Sequence, residues 1–451
     1  TYWSGHSQIK VMKRDSFTDT IDNTEGPVAI LGSGISGCAV EKLLVSRGKT
    51  CQLFDQRNRI FTQDDAKRSS IVVQSPGFGP DHEWIKTAVS QGKEIFSEID
   101  LGLSCSDHSE FIAITGTNGK TSLTSMLGHV ARRLNMPSEE LGNIGRPLSD
   151  AVTNSTLEKK IIFHETSSFQ AISSKSLNPD AVLWINFGPD HIDYHGSERE
   201  YFFAKLKLAN NCISPHNVFI GTSVLEYARK FGVGLNGRFR EIKPLTTEEL
   251  PSNIASFHRS KPQLENLAFA KSWFEQKGVV KGRFFEALDG YIPHPHRLKK
   301  VKSVSGVNFW NDSKSTNELS TLAACNSFSK KVIWIGGGKS KGLQIDQFVF
   351  NLSPYVERAF LLGETASKLS KNLRDFGIKS QVCENLKDAV MQAFQYARKN
   401  DNILFSPGFA SFDMFLDYNE RGNSFESLVF DLKRTNQTTT NLPVNNLQAS
   451  H

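Results

Sequence analysis

Residues 116–122 read Gly-Thr-Asn-Gly-Lys-Thr-Ser, a glycine-bracketed lysine followed by two hydroxyl side chains. The apolar run 111–115 before them predicts a buried strand, and the pattern over 123–133 predicts a helix. In such an arrangement backbone N–H groups and the positive end of the helix face a phosphate. The spacing, G-x-x-G-K-[ST], is shorter than the usual motif. We therefore predict ATP binding, with Lys120 at the β- and γ-phosphates and the Thr121 hydroxyl on Mg²⁺.

Length and composition limit the class of protein. A chain of 451 residues exceeds what one hydrophobic core serves, and about three domains are expected. The net charge of +6 is small for this length, which gives no indication of a nucleic-acid partner. Six scattered cysteines without a C-x-x-C pair favour free thiols in a reducing cytoplasm and give a zinc site no support. No apolar run reaches the ~18–20 residues of a membrane span.

The first part of the chain shows a second glycine pattern. An apolar run over 28–31 leads into G-x-G-x-x-G at 32–37 and then into a helical stretch. The run 51–55 predicts a second strand that closes on Asp55. This is the fingerprint of a dinucleotide-type βαβ unit, in which the acid meets a ribose hydroxyl.

Strands alternate with helical stretches along the rest of the chain, as in parallel sheets flanked by helices. A hairpin is predicted over 300–310, turning at Ser305-Gly306, and the two prolines of 293–297 predict a linker. The fold class is α/β with three domains: Rossmann-like, phosphate-loop ATPase-like and Rossmann-like. The predicted boundaries are 1–108, 109–297 and 298–433, followed by a disordered tail over 434–451.

Two acidic strand ends accompany the phosphate loop. Glu165 ends one predicted strand, and Asp190-His191 follows the next. Carboxylates at the carboxyl ends of neighbouring parallel strands suit a Mg²⁺ site, although each alone is also common as a solvated side chain. Lys205 lies in an amphipathic helical stretch, where a surface position is the default.

Polar loops follow three predicted strands of the last module, at 311–317, 336–342 and 406–413. Each has an ordinary explanation: Asp312 or Ser313 would cap a helix, and the glycine loop would be a mobile turn. Three such loops at one edge of a sheet nevertheless indicate a binding crevice.

These motifs together resemble the Mur ligases, the ATP-dependent amide-forming enzymes of peptidoglycan synthesis, over about residues 28–432. The matching segments, in family order, are Gly-Thr-Asn-Gly-Lys-Thr, His-Glu-Thr-Ser-Ser-Phe-Gln, Asp-His-Ile-Asp, Pro-His-Arg, Asp-Ser-Lys and Ser-Pro-Gly-Phe-Ala-Ser. Segments 311–317 and 406–425 are most similar to the members that add D-glutamate to UDP-N-acetylmuramoyl-L-alanine. The Asp-Asn-Pro-Arg motif of the members that add a diamino acid is missing.

The resemblance implies a role for each matching residue. The implied catalytic residues are Lys120, Lys205, His191 and Glu165. The implied Mg²⁺ ligands are Thr121, Glu165, His191 and Lys205, the lysine after carbamylation. The implied ATP site comprises Gly116, Thr117, Asn118, Gly119, Lys120, Thr121, Ser122, Asn266, Arg297 and Asp312. The implied substrate site comprises Gly34, Ile35, Ser36, Asp55 and Arg57 at the uridine end, Asn143 and His296, and Lys314, Lys341, Ser411 and Phe412 around D-glutamate. The first-module fingerprint is then expected to hold UDP rather than NAD.

The chain departs from the family pattern at two places. The family segment His-Asn-x-x-Asn is Pro262-Gln-Leu-Glu-Asn266 here and keeps only its last asparagine. The third-module glycine loop is rich in lysine, so that Lys339 and Lys341 compete for one role.

Two alternatives stay open. One is a sister ligase for another amino acid, such as the L-alanine-adding enzyme or the folylpolyglutamate branch, and the UDP-type first module argues against the latter. The other is a non-catalytic nucleotide-binding relative, which would not need Lys120, Glu165, His191 and Lys205 together. We expect a cytoplasmic monomer that acts on small molecules, with no nucleic-acid or membrane partner.

Overall fold

The computed structural model describes residues 23–79, 81–106, 110–143, 145–154, 160–235, 239–340 and 345–432. These residues divide into two compact units, one ending at His294 and the other beginning at Pro295. The first unit holds two sheets and the second holds one, all flanked by helices, so the predicted α/β class is confirmed. The three predicted domain boundaries stay predictions, and the predicted disordered tail lies outside the described residues.

The first sheet carries the G-x-G-x-x-G fingerprint. Its strands are β1 (Val28–Leu31), β2 (Cys51–Phe54), β3 (Val72–Gln74) and β4 (Ile95–Ser97), and its helices are α1 (Ile35–Ser46), α2 (Gln63–Arg68), α3 (Glu83–Ser90) and α4 (Glu98–Ser104). The strands are parallel in the order β2-β1-β3-β4. A Cβ on Gly37 would lie 1.8 Å from the Gly32 carbonyl oxygen, so this glycine lets α1 approach the turn after β1.

The central sheet contains the phosphate loop. Its strands are β5 (Glu110–Thr115), β6 (Ser138–Gly142), β7 (Ile161–Glu165), β8 (Ala181–Trp184), β9 (Val218–Gly221) and β10 (Arg240–Ile242). Its helices are α5 (Lys120–Arg133), α6 (Leu148–Asn154), α7 (Ser168–Ser173), α8 (Ile192–His195), α9 (Glu198–Asn210), α10 (Thr222–Lys230), α11 (Lys261–Gln276) and α12 (Lys281–Leu288), with 3₁₀ turns at Pro215–Asn217, Thr247–Glu249 and Ser256–Arg259.

All six strands of the central sheet are parallel, in the order β10-β9-β8-β5-β7-β6. The strand β5 lies between β7 and β8, so the ends of these three strands meet at one edge. Helix α5 packs on β5 because its apolar residues Leu123, Met126 and Leu127 recur at helical spacing and are fully buried. The sheet order therefore fixes which loops surround the phosphate loop.

The third sheet lies in the second unit. Its strands are β11 (Lys299–Val304), β12 (Val307–Asn311), β13 (Val332–Gly336), β14 (Val356–Leu361), β15 (Lys379–Val382) and β16 (Asn402–Phe405), and its helices are α13 (Glu318–Cys325), α14 (Ile345–Leu352), α15 (Ala366–Asp375), α16 (Leu386–Tyr396) and α17 (Tyr418–Asp431). The order is β11-β12-β16-β13-β14-β15, with only the β11–β12 pair antiparallel among the described strands. The hairpin turns at Ser305 (φ 54°) and Gly306 (φ 83°), as predicted.

One buried carboxylate joins the first two sheets. Asp100, in α4, accepts hydrogen bonds from the backbone N–H groups of Ser97, Lys175 and Ser176. It also accepts hydrogen bonds from the hydroxyls of Ser97, Ser174 and Ser176. Six donors around a fully buried side chain satisfy a charge that would otherwise be costly to bury. Among the described residues, none of the helices is both long and apolar enough to cross a bilayer.

Candidate functional site

The glycine loop between β5 and α5 adopts the conformation that its sequence predicts. Helix α5 begins at Lys120, and Gly119 before it has φ 83°, a left-handed value that glycine adopts at little cost. A Cβ on Gly119 would lie 2.7 Å from the Asn266 side-chain oxygen of α11. Thr121 and Ser122 are buried in the first turn of α5. Asn266, predicted at the ATP site, therefore lies directly against the loop.

The Lys120 amine is folded back onto the loop. Its Nζ donates hydrogen bonds to the carbonyl oxygens of Gly116, at 2.7 Å, and Thr117, at 2.9 Å. The Thr117 hydroxyl donates in turn to the Gly188 carbonyl at 3.0 Å and lies 3.4 Å from the Tyr201 hydroxyl. The loop thus holds its lysine at the edge where a phosphate would bind.

Lys205 is buried, with 1% of its surface exposed, so the surface position expected from its helix is wrong. Its Nζ donates to the Thr115 hydroxyl and to the Gly116 carbonyl, each at 3.1 Å, and lies 4.9 Å from the Tyr201 ring centroid. Burial lowers the pKa of Lys205 well below its ordinary value, and the positive charge of Lys120 lowers it further. The two lysine amines share one acceptor, the Gly116 carbonyl.

Glu165 ends β7 beside the loop and is almost fully buried. Its Oε1 accepts a hydrogen bond from the Asn143 side-chain amide at 3.2 Å, whereas its Oε2 has no hydrogen-bond partner in the described structure. Buried carboxylate oxygens are normally satisfied, so Oε2 is an open position for a cation. Asn143, a predicted substrate residue, is thereby brought to the same edge.

The segment after β8 brings histidines to the site. His191, with φ 54°, precedes α8, and its Nε2 lies 3.7 Å from a carboxylate oxygen of Asp190. His195, one turn later, lies 2.9 Å from the Ser168 hydroxyl through Nε2. Burial lowers the pKa of His195 to about 4, so it is neutral at physiological pH. No sequence motif had pointed to His195.

Metal ligation by unmodified side chains is not evident. Within the described part of the chain, no three side chains of His, Cys, Asp and Glu are grouped to hold a metal ion. Asp190 and Glu165 act on the pKa of Lys205 by their charge, which puts both carboxylates near its amine. The predicted set of Thr121, Glu165, His191 and Lys205 therefore depends on the modification of Lys205, and these roles stay predictions.

The predicted uridine residues lie around the end of β1. Asp55 accepts hydrogen bonds from the Ser33 hydroxyl, at 2.8 Å, and from the Arg57 backbone N–H, at 3.0 Å. These two donors, the Arg57 N–H first, lower the pKa of Asp55. The remaining members lie at the surface at the start of α1: Gly34, Ile35 and Ser36. Ile35 is 76% exposed, so its side chain is accessible at the start of α1.

In the second unit, the predicted ATP-site residue Asp312 has a strongly shifted pKa. It follows β12 and accepts hydrogen bonds from the hydroxyls of Ser315 and Ser406 and from the Leu298 backbone N–H. Burial raises the pKa of Asp312 to about 6, and the nearby charge of Arg297 partly opposes this rise. His296 is buried with φ 60°, and Asn311 donates a hydrogen bond to its Nδ1 at 2.8 Å.

The described parts of the three polar loops, 311–317, 336–340 and 406–413, lie at one edge of the third sheet, as predicted, because β12, β16 and β13 are neighbours. The Lys314 amine lies 3.8 Å from the Tyr418 ring centroid. Ser411 is buried, whereas Phe412 is 69% exposed. Lys341, the fourth residue predicted to contact the amino acid, lies outside the described residues.

Sequence reasoning missed three side chains that organise these loops. In the second unit, Arg421 of α17 is buried and donates to the Ser313 hydroxyl, the Ser313 carbonyl and the Phe409 carbonyl. In the first unit, the Asn186 side chain accepts a hydrogen bond from the phosphate loop, and Glu265 accepts one from Asn186. The sequence offered one weak indication of each role. Asn186 is a polar residue at the end of an apolar run, and Glu265 and Arg421 are single charged residues within helices.

The fold and the loop define an ATP-binding α/β protein of the phosphate-loop class. Family models match in two places: the Mur ligase middle domain over residues 114–232, and the Mur ligase glutamate ligase domain over residues 296–409. The UDP-N-acetylmuramoylalanine--D-glutamate ligase of Caldanaerobacter subterraneus subsp. tengcongensis is 30% identical, over 91% of this chain and 99% of the relative. The chain belongs to the Mur ligase family, whose members are ATP-dependent ligases that form ADP.

Solved structures agree on the fold. The UDP-N-acetylmuramate-alanine ligase of Thermotoga maritima matches with a TM-score of 0.56 and 15% identity, over 90% of this chain and 99% of that one. The MurF ligase of the same organism, solved in complex with ADP, matches with a TM-score of 0.54 and 14% identity, over 90% and 95% of the two chains. At these identities the likeness concerns the fold alone.

Proposed function

We propose that this chain joins D-glutamate to the L-alanyl carboxylate of UDP-N-acetylmuramoyl-L-alanine, with conversion of ATP to ADP and phosphate. The substrate comes from the relative, which matches along nearly its whole length and carries that activity in its name. The observation that carries the chemistry is the convergence of the Lys120 and Lys205 amines on the Gly116 carbonyl, close to Glu165. A loop that only turned the chain would not need a second, buried lysine there.

The reaction has two steps. A carboxylate oxygen of the alanyl group attacks the γ-phosphorus of ATP, and the bond from that phosphorus to the β,γ-bridging oxygen breaks. ADP departs, and the alanyl group becomes an acyl phosphate. The amine of D-glutamate then attacks the carbonyl carbon, loses a proton and expels phosphate. Such transfers depend mainly on positioning and charge neutralisation. Lys120 would exchange its two bonds to the loop carbonyls for bonds to the β- and γ-phosphates.

Lys205 is proposed to act as a carbamate. Its lowered pKa favours the neutral amine, the form whose nitrogen attacks CO₂. The N–C bond forms as a C=O π bond opens and a proton leaves the nitrogen, so that a neutral side chain becomes an anion. A carbamate oxygen is the kind of hard ligand that Mg²⁺ prefers.

The residues present fit Mg²⁺ on that basis. The Glu165 Oε2 atom is buried without a hydrogen-bond partner in the described structure, and Thr121 supplies a hydroxyl in the first turn of α5. With His191 and the Lys205 carbamate, these residues would hold the ion, which when bound would neutralise phosphate charge.

The uridine end of the nucleotide substrate and the D-glutamate are assigned to the loops of the first and third sheets. In the first sheet, Asp55 would accept a ribose hydroxyl, with Gly34, Ile35, Ser36 and Arg57 around the uridine. In the second unit, Lys314 and Ser411 would bind the D-glutamate carboxylates beside Phe412, because cations and hydroxyls suit a dicarboxylate. Lys341 is proposed for the same surface, and Asp312 for the ATP ribose. The six free cysteines suit a cytoplasmic enzyme, and we propose a monomer.

Phosphate release with the muramoyl-alanine nucleotide and each candidate amino acid tests the substrate. We expect turnover with D-glutamate; turnover with L-alanine or a diamino acid alone would make the chain a sister ligase. No ATP-dependent phosphate release with any amino acid would favour the non-catalytic relative.

Lys120→Ala tests the role of the loop lysine. We expect phosphate release to fall at least about a hundredfold, since the loss of a positioned transition-state charge costs about that much. Lys230→Ala removes an exposed lysine that pairs with Glu198 and is the matched control. Turnover of Lys120→Ala within about tenfold of the unaltered enzyme would refute the assignment.

A further inference from the structure

Asn186, which follows β8, holds the phosphate loop at two successive residues. Its backbone carbonyl accepts a hydrogen bond from the Thr117 N–H at 3.1 Å, and its side-chain oxygen accepts one from the Asn118 N–H at 3.0 Å. The second bond requires that the amide side chain present its oxygen, and not its NH₂ group, to the loop.

Glu265 of α11 selects that orientation. The NH₂ group of Asn186 donates to the Glu265 Oε2 atom at 2.8 Å. The ionised carboxylate only accepts, so it fixes the NH₂ group on its own side and the oxygen on the loop side. If the amide rotated, its NH₂ group would face the Asn118 N–H, and its oxygen would face the carboxylate. Both contacts would then be repulsive.

The next residue of α11 contacts the same loop. The Asn266 side-chain oxygen would lie 2.7 Å from a Cβ on Gly119, so it limits how the loop can move at its last glycine. Glu265 thus acts on Asn118 through Asn186, and the next residue of the helix, Asn266, acts on Gly119 directly. Burial raises the pKa of Glu265 to about 7, although the hydrogen bond from Asn186 lowers it.

We propose that Glu265 is a positioning residue for ATP: through Asn186 it sets the backbone of the phosphate loop in the form that receives the nucleotide phosphates. This inference rests on the proposed role of the loop in ATP binding. Glu265 touches no reacting atom, and its effect passes entirely through the Asn186 amide. An acceptor at position 265 is therefore what matters, and its charge is secondary.

The test compares Glu265→Leu with Glu265→Gln, which keeps an oxygen that can accept from Asn186. Binding of a non-hydrolysable ATP analogue with Mg²⁺ is measured by calorimetry, together with KM for ATP and kcat. We expect Glu265→Leu to weaken binding about tenfold, as for the net loss of one hydrogen bond, and to raise KM more than it lowers kcat. Glu265→Gln should stay within about threefold. Glu275→Gln, at the other end of α11, is the matched control.

A second arm separates this role from a general loss of stability. Asn186→Ala should weaken analogue binding as much as Glu265→Leu, and the double variant should be no weaker than Asn186→Ala, because both changes break one chain of contacts. Additive losses, or equal losses in Glu265→Leu and Glu265→Gln, would overturn the proposal. Failure of the unaltered enzyme to bind the analogue would instead refute the proposed ATP site.

Discussion

The left-handed backbone of Gly119 gives a quantitative test of the loop geometry. An alanine at φ 83° costs about 1–2 kcal/mol relative to glycine. Its Cβ would also lie 2.7 Å from the Asn266 oxygen, an overpacked contact of the kind that adds about 1–3 kcal/mol. The free loop can relax away from this strain, and ATP must then restore the strained form, so the cost is paid on binding.

We therefore expect Gly119→Ala to weaken ATP binding by about 2 kcal/mol or more, which is about 30-fold in Kd. Gly278→Ala is a matched control, because Gly278 follows α11 with the same φ of 83° but has nothing within 4 Å of its Cβ position. That variant should lose some stability and keep its affinity for ATP.

The assay is calorimetric titration with a non-hydrolysable ATP analogue and Mg²⁺, alongside urea unfolding of each variant. A Kd for Gly119→Ala within about threefold of the unaltered enzyme would refute the argument from loop geometry. An equal loss of affinity in Gly278→Ala would show that the loss comes from general destabilisation of the fold and not from the geometry of the phosphate loop.

Three further outcomes follow from the site. Lys205→Ala should be nearly inactive and partly restored by an added short carboxylic acid, which supplies the anionic oxygen; full activity without the acid would refute the carbamate. Burial raises the pKa of Asp312 from 3.8 to about 6, so the folded state keeps a proton that the unfolded state releases, and the contribution of Asp312 to stability falls as the pH rises from about 4 to about 6. Asp312→Asn should flatten that part of the pH profile of urea unfolding, and an unchanged profile would contradict it. Arg421→Met should destabilise the second unit by about 3 kcal/mol, since carbonyls of Ser313 and Phe409 lose buried donors; an unaltered unfolding midpoint would argue against this account.

Local signals in the sequence were enough for the phosphate loop and the hairpin. Gly119 and Gly306 adopt positive φ values, which glycine reaches at little cost, and the apolar runs on either side of these turns fix the neighbouring elements. The positions of Glu165 and His191 beside the loop also followed, because parallel strands place their carboxyl ends at one edge.

Long-range contacts could not be predicted in this way. Lys205 has the local pattern of a surface lysine, yet α9 is covered on most sides and buries Tyr201, Phe202, Leu206 and Leu208 as well. The chain from Glu265 through Asn186 to Asn118 joins residues far apart in sequence. Each member is an ordinary polar residue until the sheet order brings them together.

The carboxylate of Asp100 has a practical consequence for anyone dividing this chain. A fragment that began at residue 109 would remove the acceptor of the Ser174 and Ser176 hydroxyls and of the Lys175 and Ser176 amides. A fragment that ended at residue 108 would keep the two donors of Ser97 to Asp100 and lose the four donors of residues 174–176. A fragment meant to contain the central sheet should accordingly start before Ser97, so that it includes α4 and the Asp100 carboxylate.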